Sequence, residues 1–66
     1  MGHNTVRQVR EDLLISKTEL ARKAALSIQT INRIEKGESC KPETKRKILF
    51  ALGFDLTDRR KIFPDN

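Results

Sequence analysis

The chain predicts an all-α fold, a compact bundle of short helices, on three observations. Ser16 and Ser27 can each start a helix, and the two segments they open are joined by only about three residues. Apolar residues recur at helical intervals within each segment. Gly37, Pro42, Gly53 and Pro64 fall at the ends of segments, where they stop or start helices. Residues 16 to 37 therefore read as a helix-turn-helix unit within a single domain spanning residues 1–66.

The first segment, Thr5 to Leu14, places Val6, Val9 and Leu13 on one stripe, with Arg10 at its edge and also facing inward. The second opens with the Ser16-x-x-Glu19 capping box: the serine hydroxyl takes the free amide three residues on, and the glutamate reaches back. Leu20 and Ala24, with Ala21 beside them, form its apolar stripe, which breaks at Ala25-Leu26. Ser27 caps the third segment, which runs to Gly37, a natural left-handed C-cap residue.

On a helical wheel, Ile31 and Ile34 of this third segment face one way and Gln29, Asn32, Arg33 and Lys36 the other, with Ile28 at the margin. A polar face is the rule for any surface helix, so it is not diagnostic alone. Glu35 is more informative, because it falls within about 40 degrees of Ile31 and points inward. A buried carboxylate needs a partner, and Arg10 is the candidate counter-ion, tying the first helix to the third through a planar, two-bond pair. Such a pair fixes the arrangement of helices more than it adds net stability.

Glu38 to Pro42 reads as a loop, and Pro42 suits the first turn of a fourth helix whose core stripe is Ile48, Leu49 and Leu52. Gly53 ends it. Phe50 lies roughly opposite that stripe, where a polar residue is expected, and so marks a candidate contact. Asp55 or Thr57 caps a fifth helix reaching about Ile62, and Pro64 stops any continuation.

Fourteen Lys and Arg against nine Asp and Glu give a net charge of +5, which favours an anionic partner. The excess is +2 over residues 1 to 26 and +3 over residues 27 to 47, and it is zero beyond. A membrane binder would need a bulky apolar face opposite its basic face on one exposed helix, whereas these stripes are short and committed to a core. No apolar run approaches the roughly 20 residues of a spanning helix, and the N-terminus lacks the apolar core of a signal peptide, so no membrane association is expected. The expected location is the cytoplasm, in association with the nucleoid.

Chemistry has little support. Cys40 is the only cysteine and reads as an incidental loop thiol, with a redox switch as the alternative. His3 is the only histidine, in the N-terminal tail. Glu11-Asp12 and Lys45 to Lys47 read as solvated helix faces, the latter with backbone contacts as the alternative. There is no nucleophile–base pair, metal constellation or glycine-rich phosphate loop, so neither an enzyme nor a cofactor is expected.

With these residues in view, the chain resembles the lambda-repressor-like, Cro-type helix-turn-helix domains of the XRE family. The resemblance runs through Arg10, Leu13, Glu19-Leu20-Ala21, Leu26-Ser27, Thr30-Ile31, Arg33-Ile34-Glu35, Gly37, Pro42 and Ala51-Leu52-Gly53, nearly the whole chain. It implies five short helices, the third lying in the DNA major groove, and an Arg–Glu pair where the wheel places one. Three positions depart from the family pattern. Lys17 stands where Gln is common, Ala25 where Gly is common in the turn, and Leu14 where Gly often ends helix one.

The expected function is a sequence-specific DNA-binding transcriptional regulator, a repressor by the family's commonest output, with activation equally compatible. Ile28, Gln29, Thr30, Asn32 and Arg33 are the candidate base-reading residues: Gln, Asn and Arg form paired hydrogen bonds to purine edges, and Ile and Thr pack on thymine methyls. Lys17, Lys36 and Lys41, with the amides that follow Ser16 and Ser27, are the candidate backbone clamp. The expected partner is double-stranded DNA with a nearly palindromic operator, half-sites about 34 Å apart. A homodimer is expected through the C-terminal end, with Phe50, Phe54, Ile62 and Phe63 as candidate contacts. Whether it holds without DNA is left open by the small interface. In the other reading of this end, Phe54, Leu56 and one of the last pair close the core. The alternative function is a protein-interaction module or antitoxin component that retains the helix-turn-helix shell.

Overall fold

The computed structural model describes residues 4–64, and all the regular structure it describes is helical. Five α-helices follow in order: α1 (Val6–Asp12), α2 (Lys17–Ala24), α3 (Ile28–Glu35), α4 (Pro42–Ala51) and α5 (Arg59–Ile62), with a 3-10 turn at Leu56–Asp58 leading into α5. The helices enclose one core of Val6, Leu20, Ala21, Ala24, Ile31, Ile34, Ile48, Leu49, Leu52, Ile62 and Phe63. α2 packs on both α3 and α4, α1 on α3, and α5 on α4.

Helix starts are set by short polar side chains. Ser16 Oγ accepts from the Glu19 amide at 3.1 Å, and Ser27 Oγ accepts from the Thr30 amide at 3.1 Å. The Ser16 box is only half formed, since the Glu19 carboxylate lies 3.6 Å from Lys23, one turn on. Ahead of α1, Asn4 Oδ1 accepts from the Val6 amide at 3.1 Å. Asp55, not Thr57, caps the last segment, in a reciprocal box with Asp58.

The ends of the first four helices repeat one pair of bonds. The residue in the left-handed conformation donates to the carbonyl three back, and its successor donates to the carbonyl five back from itself. Leu14 bonds Glu11 and Ile15 bonds Arg10; Ala25 bonds Arg22 and Leu26 bonds Ala21; Gly37 bonds Ile34 and Glu38 bonds Arg33; Gly53 bonds Phe50 and Phe54 bonds Leu49. Two of these four turns use glycine, but Leu14 and Ala25 hold φ of 58° and 57°. A side-chain-bearing residue there costs roughly 1–2 kcal/mol, partly offset by the entropy glycine loses on folding. Leu14 is 92% exposed, so its side chain contributes no burial to the fold. Leu14→Gly is therefore expected to stabilise the chain by about 0.5–1 kcal/mol, seen as a higher urea midpoint with an unchanged m-value.

This first turn corrects the expectation for Leu13. α1 stops at Asp12 and the chain swings outward at Leu13-Leu14, leaving Leu13 47% exposed instead of on the core stripe. The C-terminal end needs a second correction. Ile62 and Phe63 are both buried and so are not surface dimer contacts. They are drawn in because Thr5 spans to the end of α5, its amide donating to the Ile62 carbonyl at 2.9 Å and its hydroxyl to the Lys61 carbonyl at 2.7 Å. Phe50 is 56% exposed, Phe54 is half-buried, and Leu56 stays on the surface. No helix among the described residues is long and apolar enough to cross a membrane.

Candidate nucleic-acid interface

The helix-turn-helix is assembled from α2, the two-residue turn Ala25-Leu26 ahead of the Ser27 cap, and α3. Leu20, Ala21 and Ala24 of α2 share the core with Ile31 and Ile34 of α3, so each helix is anchored along one stripe and its opposite side is left in solvent. On the free side of α3 stand Ile28, Gln29, Arg33 and Lys36, all exposed. Thr30 and Asn32 are half-buried, which departs from the wheel for Asn32, placed there with the outward set.

Ser16 and Ser27 spend their hydroxyls on their own helices. Ser27 Oγ also lies 2.9 Å from the Thr30 hydroxyl, so the two side chains lock together at the start of α3. What remains at these helix starts is the first-turn amides, which have no carbonyl one turn behind them. Lys17 is the first residue of α2, Lys36 the C-cap of α3 and Lys41 the N-cap of α4. All three are exposed, and with Arg33 they have no ion pair among the described residues. Their charge is available to an external anion.

The orientation of α3 is fixed from behind. Arg10 Nε donates to Glu35 Oε2 at 2.8 Å and Nη2 to Oε1 at 3.4 Å, with side-chain exposures of only 10% and 5%. The third nitrogen, Nη1, donates to the Ile15 carbonyl at 2.8 Å. One guanidinium thus joins α1, the end of α3 and the link into α2, the multi-point geometry for which Arg is suited. Asn4 adds a second tether that sequence reasoning missed, its Nδ2 donating to the Ile34 carbonyl at 2.7 Å. Its one sequence signal is an Asn just ahead of an apolar-periodic run.

The loop between α3 and α4 carries Cys40, half-buried against the core. Burial pushes its thiol pKa up, with the nearby Lys45 charge opposing. A redox role needs thiolate, so this environment works against a switch. His3 lies outside the described residues. No group of His, Cys, Asp and Glu among the described residues could hold a metal ion.

A family model described as Helix-turn-helix matches residues 6–58, from the start of α1 to the end of the 3-10 turn. No curated protein matches the chain.

Proposed function

Because the chain belongs to the XRE family of lambda-repressor/Cro-like helix-turn-helix domains, a family of DNA-binding regulators, we propose that it reads a specific DNA sequence through α3. The observation that carries this reading is that Gln29 and Arg33, exposed and unpaired among the described residues, stand on a helix whose opposite side is anchored in the core and clamped by Arg10. In the proposed complex, Gln29 and Arg33 bond base edges, Ile28 packs on thymine methyls, and the half-buried Thr30 and Asn32 support the margin of the contact. Lys17, Lys36 and Lys41, with the amides after Ser16 and Ser27, hold the phosphates and set the register.

Residues 1–66 act in this reading as one DNA-binding unit, in the cytoplasm on the nucleoid, and as a repressor where the occupied site overlaps a promoter. Two copies meet on a nearly palindromic operator. With Ile62 and Phe63 in the core, Phe50 and Phe54 are what this end offers to such a pair. Selection of bound sequences from a random duplex pool tests the proposal. A defined motif with inverted repeats about one helical turn apart supports it, whereas recovery of unenriched sequence refutes specific reading.

Backbone and base contacts separate in their salt response. Lys17→Ala is expected to weaken binding to all sequences alike and to lower the slope of log K against log salt by about 1. Fluorescence anisotropy across a salt series measures this.

The exposure of Phe50 favours a second reading, a protein-interaction module on the same shell. Such a module would not respond to changes at Arg33.

A further inference from the structure

Asn4 uses both ends of its side-chain amide. Its Oδ1 accepts from the Val6 amide at 3.1 Å, at the start of α1, and its Nδ2 donates to the Ile34 carbonyl at 2.7 Å, at the end of α3. Thr5 fixes the backbone beside it, through the amide bond to Ile62 at 2.9 Å and the hydroxyl bond to Lys61 at 2.7 Å, and Val6 follows fully buried. Consecutive residues thus join the start of α1 to the ends of α3 and α5.

The Nδ2 bond is not needed to satisfy Ile34. Its carbonyl already accepts from the Gly37 amide at 2.9 Å in the turn that ends α3, and Asn4 takes the second lone pair. What the bond adds is position. Arg10 holds α3 through the side chain of Glu35, several torsions away from the helix backbone. Asn4 bonds the backbone directly, at the residue after Arg33. Attached at adjacent residues, once on the main chain and once on a side chain, the helix has less freedom to rotate about its axis than either attachment alone would leave it. The donor also suits its place. The last carbonyls of a helix carry partial negative charge, which an amide N–H complements and a carboxylate opposes.

We propose, resting on the reading of DNA by α3, that Asn4 is a positioning residue for sequence discrimination: it holds α3 in the orientation in which Gln29 and Arg33 meet base edges. Base-edge hydrogen bonds need placement to within about 0.5 Å and 10–20°, whereas phosphate contacts made by long, flexible cations tolerate a small shift. Loss of the Asn4 bond therefore lowers the preference for the operator and leaves general affinity for duplex DNA nearly unchanged.

Two variants isolate the bond. In Asn4→Asp the carboxylate still accepts from the Val6 amide and puts a favourable negative charge at the start of α1, but it turns an acceptor toward the Ile34 carbonyl. Asn4→Ser adds no charge; it keeps an oxygen for the Val6 amide on a side chain one bond shorter, and the donor to Ile34 is gone. Competition anisotropy compares the selected operator, its single-base changes and an unrelated duplex, at a temperature where circular dichroism shows each chain folded. Both variants should lose operator preference by about 5- to 20-fold, the lower part of the range for losing a paired base contact outright. Affinity of Asn4→Ser for the unrelated duplex should change by less than about 2-fold. Combined with Arg33→Ala, Asn4→Ser should cost little more at the base that Arg33 reads, because it acts through that contact. Equal losses on operator and unrelated duplex, or full additivity with Arg33→Ala, would overturn the proposal, each being the mark of a general effect on the fold. Wild-type preference in both Asn4 variants, with preference lost in Arg33→Ala, would sink the positioning role alone. Wild-type preference in Arg33→Ala would overturn the reading by α3 and the role of Asn4 with it.

Discussion

Replacing Glu35 by alanine is expected to cost about 3–5 kcal/mol, because it leaves the nearly inaccessible Arg10 guanidinium with only the Ile15 carbonyl and a long 3.9 Å approach to the half-exposed Glu11 carboxylate. A chain of this size has a total stability of roughly 3–10 kcal/mol, so the loss removes about a third of it at the upper end of that range and all of it at the lower end. Arg10→Ala should cost as much, since it leaves both the Glu35 carboxylate and the Ile15 carbonyl without their donor. Arg10→Met combined with Glu35→Leu removes both charges. It should recover much of the loss while leaving the Ile15 carbonyl unpaired. Urea unfolding of the wild type and the three variants measures these losses. A Glu35→Ala loss below about 1 kcal/mol, the range of exposed pairs, would show that the clamp does not hold α3.

Arg33→Ala carries the largest expected functional effect. If its guanidinium bonds a guanine edge through two donors, its loss should reduce discrimination between operator and altered operator by about 1–3 kcal/mol, or about 5- to 150-fold. Stability should stay within about 0.5 kcal/mol, because the side chain is exposed and has no ion pair among the described residues. Arg33→Lys should fail as a substitute, since an ammonium lacks the planar fork. Competition binding with a set of single-base operator changes gives the result directly. Unchanged discrimination in Arg33→Ala would remove α3 as the reading face and leave Phe50→Ser, tested for loss of a protein partner, as the variant to pursue.

The reach of sequence reasoning is clearest at individual residues. Ser16, Ser27, Gly37 and Gly53 act through bonds to their own neighbourhood, so their chemistry is legible from spacing alone. Arg10 and Glu35 were legible for a different reason: a charge on an apolar stripe must be answered by an opposite charge on another. Leu13 misled because periodicity assumes that the helix continues. The left-handed turn at Leu14 ends α1 early, and leucine gives no local signal for such a turn. Ile62 and Phe63 misled because α5 is a single turn, too short for a wheel to distinguish an inner face from an outer one.

The sequence by itself determined the helical class, the helix-turn-helix span, the outward placement of Gln29, Arg33 and Lys36 on α3 and the pair that clamps it. Those follow from local hydrogen bonding and from a helical period that acts along the chain. Tertiary structure alone decided that Thr5 closes the C-terminal end into the core, and that Asn4 and the Ile15 carbonyl complete the clamp behind α3. Each of these joins groups from different parts of the chain whose local sequence is satisfied in many other arrangements, and only the packing of all five helices selects one.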